Sequence, residues 1–315
     1  MSIATVSRVL NVSKPVNAKT RERVEAAIAE LDYRANPFAR SLMSGESRLV
    51  LVLVPDFANP FYAEIVQGVE SVTSKRGYSI LLAALPGTLS NDGALIENLY
   101  NRLTDGVISL AHIKEQPELL AQMRRRPWVA CSEFLPDSGI PYVSIDHRQA
   151  AIDAVQYLIN RGHRRIALLG SQEDFVWARQ RRAGYEEALT RASLEVDPQL
   201  VRLARGTDFT FGVEAAGGLL ALENPPTAVF AVSDTLAIGA IKAFRRAGRR
   251  IPEDIAVVGF DNIPLSEVFE PSLTTIAQPM RELGAAASEL LLQRLAGTDP
   301  PSRTMPHSLV IRDSA

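Results

Sequence analysis

The run LVLVLV at 49–54 constrains the fold more than any other segment. Six apolar residues in succession leave no polar face, so a strand built from them must be covered on both sides. The pattern returns at SILLAA (79–84), GVISLA (106–111), PWVAC (127–131), YVSI (142–145), RIALLG (165–170), TAVFAV (227–232) and IAVVGF (255–260), with helical stretches between the runs. Asn59-Pro60 opens one such helix, with Pro at a tolerated first-turn position, and Lys-Arg-Gly at 75–77 closes it. Strand–helix alternation predicts an α/β fold of parallel sheets flanked by helices. Eight or more strands overfill one open sheet, and 315 residues suffice for two or three domains. Two doubly wound parallel-sheet subdomains with a cleft between them are therefore expected.

The first 48 residues hold no strand pattern. Residues 18–32, AKTRERVEAAIAELD, form an amphipathic helix with Val24, Ala27, Ile28 and Leu31 on one face. Before it, Ser2 can cap a short helix running to about Leu10, and a third helical stretch spans Pro37–Met43. This head carries eight basic and five acidic residues, whereas the whole chain is at −2. A basic head on an acidic body suits a polyanion-binding module. The short helix presents Ala4, Ser7, Arg8 and Asn11, with Ile3 and Thr5 beside them. Arg can bond the O6 and N7 of guanine, Ser and Thr can bond phosphate oxygens, and a small apolar side chain can meet a thymine methyl. The bland alternative is a solvated helix face with an incidental arginine.

The body lacks the signatures of common enzymes. It has no phosphate loop, no GxGxxG after a strand, no GxSxG and no HExxH. One cysteine, Cys131, cannot form an intrachain disulfide and reads as a buried structural residue. Four scattered histidines make no metal cluster, and His163 reads as a helix-end residue. No apolar run is long enough to span a membrane and the N-terminus has no signal core, so a reducing cytoplasmic setting is expected. No cofactor is expected.

Parallel sheets bind ligands beyond the carboxyl ends of their strands. Polar and aromatic residues gather at those positions: Asp56, Phe57, Asn59, Phe61 and Tyr62 after 49–54, and Asp146 after 142–145. Asp174, Trp177 and Arg181 follow 165–170, Phe209 lies in a loop, Ser233 and Asp234 follow 227–232, and Asp261 and Asn262 follow 255–260. Rings, carboxylates and a guanidinium suit a sugar or nucleoside. Asp234 and Asp174 can equally cap helices, Phe61 can staple its helix to the sheet, and Arg181 can pair with a surface Glu. Asp261 is the best ligand candidate, because no helix follows it immediately.

The strings ATVSRVLN and VNAKTRERVEAAIAELDYRANPFARSL resemble the DNA-binding head of the lactose-repressor (LacI/GalR) family. The resemblance implies that Ile3, Ala4 and Arg8 read bases, and that Thr5, Ser7, Asn11, Asn17, Thr20 and Tyr33 hold the DNA backbone. It puts Ala39 and Leu42 on a hinge helix, with Leu42 wedged into the minor groove at a cost of a few kcal/mol per base step. Leu42 can otherwise be a core leucine sealing the linker. Met1 stands where the family's turn falls, without the first helix of the helix-turn-helix, so weak operator binding by the 315-residue chain is expected. A late-placed start and a real truncation both account for this.

PPTAVFAVSDTLAIGA, IPEDIAVVGFDNI and SLTTIAQP resemble the family's effector domain, which is similar to periplasmic sugar-binding proteins. VPDFANPFYAEIVQGVE, SEFLPDSGIPYVSID and GFDNIPL resemble a cytidine-responsive branch of it. The resemblance implies that Phe61, Tyr62, Asp146, Arg181, Phe209 and Asp261 line an effector pocket; SQEDFVWARQR, with Trp177, departs most from the family pattern. It further implies a head at 1–45 and an effector-binding and dimerisation domain at 46–315. That domain divides into an N-subdomain of about 46–146 plus 279–303 and a C-subdomain of about 147–278 plus 304–315. The chain ends without the family's heptad tail, so a homodimer reading near-palindromic operator DNA is expected. The function expected is a repressor responsive to a nucleoside such as cytidine. The alternatives are a sugar effector, a truncated ligand sensor or solute-binding protein that does not bind DNA, and an enzyme using Asp146 and Asp261.

Overall fold

The computed structural model describes residues 2, 5, 6, 8, 9, 15–31, 46–85, 103–112, 117–171 and 175–315. The chain divides into two compact units, 1–47 and 48–315. In the first unit, Thr5, Val6, Arg8 and Val9 are helical. The Ser2 hydroxyl accepts from the Thr5 amide at 3.2 Å, as an N-cap does. Helix α1 (Ala18–Glu30) starts at Asn17, whose side-chain oxygen accepts from the Lys19 amide at 3.0 Å. It ends two residues before the expected 32. Of its apolar face only Val24 is fully buried, while Leu31 is 75% exposed. The stretch expected at 37–43 lies outside the described residues, as do Ile3, Ala4, Ser7, Asn11, Tyr33, Ala39 and Leu42.

The second unit contains two six-stranded sheets. The first is ordered β11-β5-β4-β3-β1-β2, from β1 (Leu49–Val54), β2 (Ser79–Ala84), β3 (Gly106–Ser109), β4 (Trp128–Cys131), β5 (Tyr142–Ile145) and β11 (Arg303–Met305). The second is ordered β12-β10-β9-β8-β6-β7, from β6 (Ile166–Ser171), β7 (Val201–Ala204), β8 (Ala228–Ala231), β9 (Ala256–Asp261), β10 (Thr274–Ala277) and β12 (Ser308–Val310). Among the described residues every strand pairing is parallel except β10 with β12. The uniformly apolar runs are the central strands: β6, β8 and β9 are buried at every residue. Strands β7, β11 and β12, which the eight-run pattern did not include, are short and partly exposed and lie at sheet edges.

Helices α2 (Pro60–Thr73), α3 (Pro117–Arg125) and α9 (Met280–Leu295) belong to the first lobe. Helices α4 (His147–Asn160), α5 (Val176–Arg191), α6 (Phe209–Leu220), α7 (Asp234–Arg246) and α8 (Leu265–Val268) belong to the second. The chain crosses between the lobes at Asp146, at 278–279 and at 306–307. The last crossing lies beyond the expected 303, because Arg303–Met305 extends the first sheet by pairing with β5 before the chain turns into β12.

Close approach of α4 and α5 depends on a residue without a side chain. A Cβ at Gly184 of α5 would stand 2.3 Å from the Arg148 carbonyl oxygen of α4. That contact brings the start of α4 against the turn of α5 that carries Arg181.

Candidate functional site

The strand ends of both lobes converge on one cleft. Its inner cavity is lined by Asn59, Phe61 and Tyr62 from the start of α2, by Ser132 and Glu133 after β4, and by Trp177 and Arg181 of α5. Leu110, Thr207, Ser233 and Asp261 complete it. An outer groove of about 310 Å³ shares Tyr62, Trp177 and Thr207 and adds Asp56, Phe175, Arg205, Asp208 and Phe211, among others. This is the placement that parallel-sheet topology favours.

Arg181 is the centre of the polar floor. It is 4% exposed, and burial lowers its guanidinium from the ordinary value to about 10. Its Nη1 donates to the Val232 carbonyl and stands 3.6 Å from the Asp261 carboxylate. Its guanidinium lies 3.6 Å from the Phe260 ring centroid and 4.8 Å from that of Trp177. A planar cation held between rings and a carboxylate is pre-organised for oxygen acceptors on a ligand.

Asp261 ends β9 and accepts from the Gln278 side chain at 2.7 Å. Burial pushes its carboxyl up, against the opposing pull of Arg181. Its φ is 121° and that of Asn262 is 59°, and Ser132 across the cleft has φ 67°. Non-glycine residues in this region carry strain, and such strain gathers at ligand sites. The aromatic wall is ordered as well. Phe175 and Trp177 stack at 5.3 Å, and Phe61 meets Tyr62 edge-on at 5.2 Å. Flat faces above a hydrogen-bonding floor can hold a heteroaromatic ring or a sugar face.

Six of the nine expected effector residues, Asn59, Phe61, Tyr62, Trp177, Arg181 and Asp261, line the inner cavity. Three do not line either space. Asp146 is exposed and caps α4, accepting from the Gln149 amide at 2.9 Å. Asp234 is fully buried, and both its oxygens are engaged: it accepts from the Ile263 amide at 2.9 Å, the Ser266 hydroxyl at 2.6 Å and the Thr275 hydroxyl at 2.5 Å. It pins the loop after β9 from beneath, and Ser233, not Asp234, caps α7. Phe209 is the first residue of α6 and is 38% exposed, whereas Phe211, two positions on, faces the groove. Asp174 lies outside the described residues. Arg181 pairs inside the cleft and not with a surface Glu. Cys131 is buried, and burial pushes its thiol up to about 12.

Glu133 is a cleft residue that the strand-end signal could have found, since it lies two residues beyond the apolar run at 127–131. It is 3% exposed, meets His112 at 3.0 Å and accepts from the Val176 amide at 3.1 Å. A first-lobe carboxylate thus sits on the N-terminus of a second-lobe helix, where the dipole favours it. In the head, Thr5, Arg8, Asn17 and Thr20 are described. Arg8 is exposed, the Thr5 hydroxyl is 2.9 Å from that of Ser2, Asn17 is committed to capping α1, and Thr20 is half-buried.

Residues 1–36 match the lacI family of bacterial regulatory proteins, and residues 155–315 match the periplasmic binding protein-like domain. The chain is 40% identical to the HTH-type transcriptional repressor CytR of Escherichia coli K12, across all of this chain and 93% of that one. It is 35% identical to catabolite control protein A of Priestia megaterium, across all of this chain and 96% of the other. Among solved structures, the lac repressor dimer bound to operator and the anti-inducer ONPF superposes with a TM-score of 0.88 at 31% identity, covering 100% of this chain and 95% of that one. The complex of the transcriptional regulator CelR with cellobiose gives 0.78 at 35% identity, covering 100% and 96%.

Proposed function

Because the chain belongs to the lacI family of bacterial regulatory proteins, we propose that it is a transcriptional repressor whose hold on DNA is set by a nucleoside bound between its two lobes. The observation that carries the reading is one cleft uniting the buried pair Arg181 and Asp261 with the rings of Tyr62, Trp177 and Phe211. The rings stack on the base, and the guanidinium and carboxylate bond the ribose hydroxyls. Cytidine is the effector we assign. The head, 1–45, contacts operator DNA through the residues named above, and the chain works as a homodimer on a near-palindromic site.

The mechanism is a two-state one. A ligand that bridges the lobes favours one lobe angle, and that angle sets the head spacing the operator selects. Ligand and DNA affinities are then reciprocally linked, and the ligand must prefer one state for anything to shift. A sugar effector is the second reading, supported by the cellobiose held by the similar regulator CelR.

Thermal unfolding against cytidine, uridine, adenosine, ribose and galactose tests the effector class. A ligand at a hundredfold excess over its Kd stabilises the folded state by about 2.7 kcal/mol. A shift with nucleosides alone supports the proposal, a shift with free sugars alone moves the effector class, and no shift refutes the pocket assignment. Anisotropy titration with operator duplex, with and without cytidine, tests the coupling: equal DNA affinity in both refutes it.

A further inference from the structure

His147 is the first residue of α4, directly after the Asp146 crossing, and it is fully buried. Arg181 approaches its Nδ1 with two nitrogens, Nε at 3.4 Å and Nη2 at 3.2 Å. A guanidinium can only donate, so Nδ1 must be the acceptor and carries no proton. The neutral ring then has its proton on Nε2, which lies 3.2 Å from the Ser144 hydroxyl. That hydroxyl donates onward to the Ser132 carbonyl at 3.0 Å. Every donor in this series has an acceptor, and the directions agree from end to end. Arg181 floors the cleft from the second lobe, and Ser132 lines it from the first.

We propose that His147 is a positioning residue for the effector site, a neutral imidazole that fixes the Arg181 guanidinium and ties it through Ser144 to the Ser132 turn of the opposite lobe. The inference rests on the cleft being the effector site, but its geometry does not depend on which effector binds. It gives the cleft arginine a fixed plane, and it makes the crossing at 146 sensitive to any ligand that pulls on Arg181. The surroundings keep the ring neutral. Burial most of all, and then the Arg181 charge, lower its proton affinity; the Ser132 carbonyl acts in the opposite direction, His307 at the last crossing adds to the lowering, and Phe260 stands 6.1 Å away. Asp261 meets a different nitrogen of the same guanidinium, Nη1, at 3.6 Å.

Long-range 1H–15N spectra of the full chain, labelled with 15N-histidine and free of ligand, test this directly. The chain has four histidines, and the spectrum of H147N assigns the one that matters. A neutral Nε2–H tautomer is expected at neutral pH. An Nδ1–H tautomer or an imidazolium overturns the proposal. Calorimetric titration with cytidine adds a functional readout on H147N and H147F. Asn keeps an acceptor where Nδ1 stands, so H147N should bind within a few-fold of the parent. Phe removes it, and H147F should bind about tenfold or more weakly. Equal affinity in H147F, or equal losses in both variants, overturns the positioning role. A parent protein that binds no cytidine refutes the nucleoside assignment, while the tautomer still decides the role of His147.

Discussion

Gly184→Ala sets two physical effects against each other with opposite signs. In an exposed helix, replacing Gly by Ala stabilises by about 1 kcal/mol, through lower backbone entropy in the unfolded chain. At Gly184 the new methyl would stand 2.3 Å from the Arg148 carbonyl oxygen and 2.8 Å from the Ala151 Cβ, where real Cβ contacts stay beyond 3.0 Å. The nearest atom is backbone, so no side chain can swing aside, and α4 and α5 must part by roughly 0.7 Å or more. Overpacking of this kind costs about 1–3 kcal/mol. The parting also acts one turn away, where Arg181 meets His147 at 3.2 Å, near the limit of a hydrogen bond. Weakening that charge-assisted contact adds about 1.5 kcal/mol. The packing and contact terms exceed the propensity term, and we expect a net loss of about 1.5–3.5 kcal/mol. For a chain of this length that is a fall of roughly 2–5 °C in unfolding midpoint, with weakened cytidine binding beside it. A Gly184→Ala protein as stable as the parent, or more so, refutes the close approach of the two helices.

Phe211→Ala should weaken cytidine binding by about tenfold, as removal of a stacking face does, whereas Phe209→Ala should leave it nearly unchanged; calorimetry giving the reverse order refutes the assigned face of α6. Burial raises the Asp234 carboxyl to about 6, against hydrogen bonds from Ser266, Thr275 and Ile263 that hold it down. A folded-state value above the ordinary 3.8 means that the folded protein takes up the proton, so this group's contribution is fully present below about pH 4 and is lost as pH rises through about 6. Denaturation of the parent and Asp234→Asn across that window should show a flatter profile for the variant, by about 1–3 kcal/mol; parallel profiles refute the assignment. Cys131, with its thiol pushed up to about 12 by burial, should resist a thiol reagent in the folded chain and react at once in denaturant; fast labelling of the folded protein counts against its burial.

The central architecture was legible because it rests on local chemistry. A strand buried on both faces must be apolar throughout, so β1, β6, β8 and β9 announce themselves as uninterrupted runs. Edge strands such as β7, β11 and β12 need cover on one face at most, and VRLA, RTM and SLV carry no such signature. The strand-end rule likewise located the cleft, because topology alone puts six of the nine expected residues there. It could not decide orientation. Phe209 and Phe211 are two residues apart on a helix whose start at Asp208 sets which of them faces inward. Asp234 looks like a cap or a ligand group until the loop after β9 folds over it and occupies both its oxygens. Nothing local in the string Asp146-His147 tells that one side chain is exposed at a helix start and the next is sealed against Arg181, 34 residues away. Periodicity and apolar runs are written residue by residue, so the layered α/β body, the helical head and the strand ends that carry the cleft can be read from the order of residues alone. Which polar groups meet inside that cleft depends on how helices and strands distant in the chain pack against one another, as His147 and Arg181 do, and no local pattern carries that information.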